Sequence, residues 1–295
     1  MNYVILDLEW NGTYSRRKKK YFNEIIDIGA VKLDENLNII GKYSMLITTQ
    51  IGKKLNKYVE DLTHISFDEL ESAHHTFTHA LSKFNEFAAD GVILTWGITD
   101  ILTMMSNCEY FLQYDRPEFL KYYINLQSYC QSKLEVSNNG NQLGLSAVAE
   151  MLGIEYNADE MHRALADSEL SAKCFQALFD KKRVECFMRK ADDEFYRRLT
   201  FKNHYITDIN SPLINRKEFY AVCDQCGARM LVKSKWKSKN RGFRARVVCP
   251  RCKIPCQATV RFKHKFDSVE IKRFVSPIPI KTDGQDATEE SNKAE

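Results

Sequence analysis

The sequence predicts a mixed α/β domain, a five-stranded mixed sheet flanked by helices, followed by a small β-rich module. Three observations predict it. Apolar residues alternate with period two through much of the first fifty positions. From about residue 60 to residue 180 the apolar spacing changes to three and four, interrupted by short apolar runs. Beyond residue 215, two Cys-x-x-Cys pairs separated by 22 residues sit among basic and β-favouring residues.

Residues 3–10 read as a buried central strand, since Val4, Ile5, Leu6 and Leu8 supply two apolar faces. Asp7 and Glu9 stand two apart in it, so both carboxylates leave one face of the sheet. Residues 11–20 are expected to be a polar loop carrying five consecutive cations, Arg16, Arg17, Lys18, Lys19 and Lys20. Residues 24–33 and 38–47 give a second and third strand around turn chemistry at Asp34, Glu35 and Asn36, which makes an antiparallel meander. Helices are expected over 61–70 and 76–88, the second with Phe77, Leu81, Phe84 and Ala88 as its core stripe. A short strand over 91–96 breaks at Gly97 and leads into a helix from Thr99 to about Phe111. A last strand over 122–126 and helices over 143–152 and 164–180 complete the order. A meander followed by βαβ units gives a mixed sheet with helices on its faces and a site at the carboxyl ends of its central strands.

A length of 295 residues suits about two domains, and 44% apolar content allows a full core. No run of 18 apolar residues exists, so no transmembrane helix is expected, and the first residues carry no signal-peptide pattern. The nine cysteines, several in Cys-x-x-Cys pairs, fit a reducing compartment and metal binding, not a disulfide framework. The expectation is a cytoplasmic protein without a membrane partner. The net charge of +4 is unevenly spread: residues 216–265 hold fifteen Lys/Arg and two acids, while residues 1–215 are net −6. An acidic body joined to a strongly basic module suggests a polyanionic partner.

Two more acids follow predicted elements. Asp100 ends a strand and opens a helix, and Asp167 lies in the first turns of the helix after His162. Five residues on a helix turn through about 140°, so His162 and Asp167 converge only if His162 lies on the entry loop. Asp7, Glu9, Asp100 and Asp167 are four acids that this topology could bring together. Such a cluster suits a pair of divalent ions about 4 Å apart, clamping the attacking and leaving oxygens of a phosphodiester. A histidine titrates near neutral pH, which suits it to deprotonate the attacking water.

These motifs, Asp7-Leu8-Glu9 with residues 24–31 behind it, Trp96-Gly97-Ile98-Thr99-Asp100, and His162-Arg163-Ala164-Leu165-Ala166-Asp167, occur in order. The set resembles the DEDDh branch of the DnaQ-like 3′→5′ exonucleases, which have a ribonuclease-H-like fold. The second motif is similar to the subgroup containing the histone-mRNA 3′ exonucleases. The resemblance covers roughly residues 1–180. It implies that Asp7, Glu9, Asp100 and Asp167 carry two Mg²⁺ or Mn²⁺ ions and that His162 is the general base. It also implies release of nucleoside 5′-monophosphates from the 3′ end of single-stranded RNA or DNA. Leu62-Thr63-His64-Ile65 resembles the loop that helps hold the substrate's 3′ end, so Thr63 is a substrate-binding candidate. The first motif continues as Trp10-Asn11 where the family more often has small residues or Thr, and Trp10 could stack on a base or merely pack. The alternatives are a catalytically silent nucleic-acid-binding or regulatory protein, and a proofreading-type subunit of a larger complex.

Residues 184–199 read as one polar helix bridging to the second module. There Cys223, Cys226, Cys249 and Cys252 have the spacing of a zinc ribbon holding one structural Zn²⁺, with Cys256 a possible substitute ligand. Residues 219–222 and 257–262 would supply strands. Between the hooks, cations are interleaved with Trp236 and Phe243, which suits gripping a nucleic-acid backbone and stacking exposed bases. The expected division is a catalytic domain over 1–182, a helical linker over 183–215, a basic zinc-ribbon-like module over 216–275 and a disordered tail over 276–295.

Overall fold

A computed structural model describes residues 1–136, 142–157 and 161–278 of the chain. They divide into two compact units, Met1–Thr200 and a second from Phe201 on. The first opens with three antiparallel strands, β1 (Asn2–Ser15), β2 (Lys20–Leu33) and β3 (Ile39–Leu46). Helices α1 (Lys57–Thr63), α2 (Phe67–Ala73) and α3 (Phe77–Ala88) follow, then β4 (Gly91–Thr95), α4 (Thr99–Leu112) and β5 (Tyr122–Asn125). The unit ends with α5 (Leu126–Lys133), α6 (Leu145–Met151), α7 (Ala164–Leu178), α8 (Lys181–Phe187), β6 (Arg189–Lys190) and α9 (Asp193–Thr200). The sheet order is β3-β2-β1-β4-β5-β6, with β4 parallel to β1, β5 parallel to β4, and β6 an antiparallel edge.

Burial on both faces makes β1 the axis of this unit. Val4, Leu6 and Leu8 pack with Phe77, Phe84 and Ile101 of α3 and α4. Tyr3 and Ile5 face the other way, against Tyr129 of α5 and Phe175 of α7. The second layer comes unusually close. Gly29 of β2 stands opposite Asp7, and a Cβ on it would lie 2.0 Å from the carbonyl carbon of Ala164, the first residue of α7. Ser168 Oγ of α7 donates to the Gly29 carbonyl at 2.9 Å. The absence of a side chain at Gly29 is therefore what seats α7 against the sheet.

The structure differs from the sequence expectation in four places here. The polar stretch 11–20 is no loop: β1 and β2 continue as a paired hairpin whose register runs from Asn11↔Glu24 to Ser15↔Lys20. Ladder hydrogen bonds, and cross-strand Tyr14 against Tyr21 at 6.0 Å, outweigh its polar composition. The helix expected over 61–70 is two helices, because His64 turns left-handed at φ 56° and Ser66 caps α2. The single helix over 184–199 is broken into α8 and α9 by β6, which pairs with β5 and makes the sheet six-stranded. Phe195 and Leu199 pack on the first unit's core, so the stretch 183–215 is shared between the two units.

The second unit contains β7 (His204–Tyr205), β8 (Leu231–Val232), β9 (Lys237–Ser238), β10 (Phe243–Val248), β11 (Pro255–His264) and β12 (Val269–Pro277). Strands run in the order β12-β11-β10-β8, with β7 on β11 and β9 on β10. Residues 219–222 are not a strand; only Val222 forms a bridge, to Arg229. β12 carries order through Pro277, past the expected start of the tail, and 279–295 lie outside the described residues. No helix among the described residues is long and apolar enough to cross a membrane.

Gly29→Ala should destabilise the first unit by about 3 kcal/mol or more, because the clash is with backbone that cannot rotate away. Urea unfolding compared with Ala30→Gly checks it. A Gly29→Ala midpoint equal to that of the parent would refute the close approach.

Candidate active site and metal centre

The register of β1 with β4 ends at Ile5↔Leu94, so β4 finishes one residue later, level with Leu6 and just short of Asp7-Leu8-Glu9. The chain then turns through Trp96, Gly97 (φ 97°) and Ile98 into α4. That turn is pinned by Thr95 Oγ1, 2.6 Å from the Gly97 carbonyl, and by the Tyr123 hydroxyl, which donates to the same oxygen. Asp100 is thereby delivered to the acidic face of β1, where its carboxylate accepts from its own N–H and that of Leu8. From the opposite direction, the Gly29 contact brings in the first turn of α7 and Asp167. Carboxylate oxygens of Asp7, Glu9 and Asp167 lie within 4.8 Å of one another. Asp100 stands outside that tight group but lines the same cavity of about 420 Å³.

His162 lies just ahead of α7 in a left-handed conformation, φ 68°. Its N–H donates to Asp167 Oδ2 at 3.2 Å, and its exposed side chain lines the cavity with Trp10, Trp96 and Met161. The five residues of the three motifs are therefore gathered on one wall system.

Electrostatics set the character of the cavity. Burial pushes the Asp7 carboxyl well above its ordinary range, and Asp100, Asp167, Glu9 and Asp27 add to it. Burial first, then Asp167, Asp27 and Asp100, raise Glu9 to about 8, with Arg163 opposing. Asp100 is raised to about 7, again mainly by burial. Asp167 is also raised by burial, against the pull of His162. Four acids are thus held where none ionises easily, and Asp167 Oδ1 is buried without a hydrogen-bond partner among the described residues. An all-oxygen donor set, only partly opposed by Arg163 and His162, fits hard divalent cations.

An exonuclease family model, RNase_T, matches residues 4–175. The chain belongs to this exonuclease family. No curated protein matches it. Its fold is shared with solved 3′-exonucleases. One, described as "3'-end specific recognition of histone mRNA stem-loop by 3'-exonuclease", is 21% identical with a TM-score of 0.54, over 64% of this chain and 84% of that one. The nuclease domain of "3'hExo, a DEDDh family member, bound to rAMP" is 22% identical with a TM-score of 0.54, over 65% of this chain and 96% of that one. A full-length 3′-exonuclease gives 21% identity and a TM-score of 0.54, and the present chain spans 64% of its length. At these identities the likeness is one of fold, the ribonuclease-H-like arrangement.

Other residues of the exonuclease sit differently from the sequence expectation. Thr63 is buried at the end of α1; its hydroxyl donates to the Val59 carbonyl at 2.8 Å and accepts from Ile65 N–H at 3.2 Å. The hydroxyl's single donor is thus used within α1. Its neighbour His64 lines a second cavity with Asp27, Ser44, Arg163 and Glu169. Trp10 packs on the first core and also lines the acidic cavity. Sequence reasoning missed Asp27 as part of the site. It pairs with Glu9 across β1 and β2 and is raised by burial to about 6, with Arg163 lowering it. A lone acid in the apolar run Ile25-Ile26-Asp27-Ile28 was the available signal.

In the second unit, Cys223, Cys226, Cys249 and Cys252 place their sulfurs within 4.8 Å of one another. The two hooks have the same backbone. Gly227 and Lys253 N–H donate to the Cys223 and Cys249 carbonyls at 2.9 and 3.0 Å. Cys223 and Cys249 N–H donate to the Ala228 and Ile254 carbonyls at 2.9 and 3.2 Å. Gly227 and Lys253 both take positive φ, 69° and 58°. A tetrahedral ion at the usual Zn–S length of ~2.3 Å needs sulfurs ~3.8 Å apart, which this cluster can meet. The Cys252 N–H, foremost, draws the Cys249 thiol down to about 6, favouring thiolate. Cys256 is outside the four-sulfur group and packs in the core beside it. Trp236 is half-buried against Phe219 at 5.3 Å and lines a cavity with Arg216 and Lys235. Phe243, expected to stack on bases, is fully buried. The pleat of β10 turns Phe243, Ala245 and Val247 inward and leaves Arg244 and Arg246 to the other face.

The raised carboxylates make a sign-definite prediction. Unfolded carboxylates titrate near 4, whereas Glu9 and Asp100 titrate at about 8 and about 7 in the fold. Between those values the folded metal-free protein holds protons that the unfolded chain has lost, so its stability falls as pH rises from about 4 to about 8. Added Mg²⁺ should therefore raise the unfolding midpoint more at pH 8 than at pH 5.5. Thermal melts at both pH values check this, and no Mg²⁺ effect at pH 8 would count against it.

Proposed function

We propose that this exonuclease removes nucleotides one at a time from the 3′ end of single-stranded RNA or DNA, releasing nucleoside 5′-monophosphates. The observation that carries the reading is the meeting of Asp7, Glu9, Asp100, Asp167 and His162 around one cavity. Asp7, Glu9, Asp100 and Asp167 would hold two divalent cations, Mg²⁺ or Mn²⁺. Bound there, the cations supply neutralisation of the carboxylates and of the charge growing on the phosphoryl oxygens.

The chain's own residues supply the rest. His162, at the cavity mouth and free to reach solvent, accepts a proton from the attacking water. The water oxygen forms its bond to phosphorus as the bond from phosphorus to the penultimate nucleotide's 3′-oxygen breaks. The Asp167 carboxylate accepts from His162 N–H and so fixes the residue that carries the base. Trp10 presents part of its ring to the cavity as a surface for the terminal base. In the second unit, Cys223, Cys226, Cys249 and Cys252 hold one Zn²⁺ that ties the two hooks. The basic residues there provide affinity for a polyanion that the acidic first 215 residues, net −6, do not. Reduced cysteines and thiolate ligands support a reducing, cytoplasmic setting.

Single-stranded RNA and DNA labelled at either end test the reading. In Mg²⁺, shortening should proceed stepwise from the 3′ end. Asp7→Asn should remove at least about 10³-fold of the rate, and His162→Gln about 10²–10⁴-fold, the usual range for a general base. Internal cuts, loss from the 5′ end, or full activity in Asp7→Asn would each sink it. Elemental analysis should separately find one zinc per chain, lost in Cys252→Ser; the same zinc content in that variant would argue against the four-cysteine site.

A further inference from the structure

We infer that the outer face of the second unit's sheet is a platform for single-stranded nucleic acid, with Phe274 as its stacking surface. This rests on the reading of the chain as an exonuclease of such strands, and it names a surface of the second unit that holds the strand. The strand register defines the face. Lys237 of β9 pairs with Arg244 of β10, Arg244 with Thr259 of β11, and Thr259 with Phe274 of β12. This row crosses four strands, about 14 Å at the usual interstrand spacing. Arg246 flanks it on β10, and Arg261 and Lys272 form the adjacent pair on β11 and β12.

The two faces of this sheet have opposite chemistry. Inward, Phe243, Val260 and Phe262 make a buried aromatic core. Outward, Phe274 is 47% exposed, an unusual position for a phenylalanine in a ladder. The Arg261 guanidinium lies 5.2 Å from the Phe274 ring centroid, an arrangement that stiffens the ring and adds charge beside it. Arg244 Nε and Arg261 Nε are buried donors without a hydrogen-bond partner among the described residues. The acid at the edge of the face, Glu270, is engaged by Lys265 at 2.8 Å and Lys272 at 3.1 Å. Among the described residues the face presents cations and one exposed ring, the groups that binding a polyanion with exposed bases uses. An exposed ring flanked by cations on a flat sheet suits a strand whose bases are unstacked; a duplex hides its base faces.

The test uses the full chain without added Mg²⁺ and labelled oligonucleotides. Phe274→Ala should weaken single-stranded binding about tenfold and leave duplex binding nearly unchanged. Arg246→Gln with Lys272→Gln should lower the salt dependence of log K by about 0.7 per cation removed. Lys53→Gln, an exposed cation of the first unit, is the control and should bind as the parent does. Parent-like single-strand affinity in Phe274→Ala, or an equal loss on duplex, would overturn the platform. Hydrolysis of a nitrophenyl ester of a nucleoside 5′-phosphate, a single nucleotide with no strand to be held, reports the exonuclease reading separately. A parent chain inactive on that ester overturns that reading, while a binding loss in the variants still supports the platform.

Discussion

The repulsion among buried carboxylates is the constraint on which the first unit depends. Two unit charges about 5 Å apart repel by about 3 kcal/mol at an effective dielectric of 20, and carboxylate oxygens of Asp7, Glu9 and Asp167 lie within 4.8 Å of one another. A site of this kind survives only on a scaffold with stability to spare. Here β1 is clamped by apolar residues on both faces, Val4, Leu6 and Leu8 on one and Tyr3 and Ile5 on the other. Gly29 then lets the α7 backbone close on the sheet at a distance no side chain would permit. The same contact that completes the core therefore creates the charge problem. Burial first, and then this repulsion, raises the carboxyl groups, and cation binding would relieve both.

What was legible in the sequence follows from this economy of short-range geometry. Asp7 and Glu9 could be placed on one face from the pleat alone, and His162 ahead of a helix from the angle per residue. Neither inference needed knowledge of distant residues. What failed needed it. The hairpin over residues 11–24 is built by pairing between strands whose composition is polar, so only the partner strand reveals it. β6 exists because Tyr122 and Tyr123 offer an edge to Lys190 and Arg189. Asp27 joins the site through its register with Glu9 across a bulge where Glu9↔Asp27 gives way to Trp10↔Ile25, which no periodicity in β2 announces. The internal bonds of the Thr63 hydroxyl to Val59 and Ile65 likewise depend on the turn that ends α1.

The second unit solves a different problem. Its core is split into two small clusters along one sheet. One is organised on Cys223, Cys249 and Met230, the other on Phe243, Val260 and Phe262. A module of this size buries little apolar surface, so a metal held by the four cysteines would substitute for core that the chain cannot supply. The matching hydrogen bonds of the hooks, with Gly227 and Lys253 both left-handed, show how few residues fix that geometry.

The aromatic cluster at the other end explains why the expected stacking residue was misplaced. Phe243 and its cationic neighbours read in sequence as one binding segment, but a strand sends successive side chains to opposite faces. Interleaved aromatics and cations on a strand are therefore separated by folding: the aromatics go to the core and the cations to the surface. A binding face rich in cations must then obtain its ring from a strand of opposite parity. β12 does this, since its inward positions Val269, Ile271 and Val275 pack below while Phe274 is left above, next to Arg261 of β11. The burial of Phe243 and the exposure of Phe274 are thus two consequences of one register, and that register assigns the cations and a stacking ring to a common face.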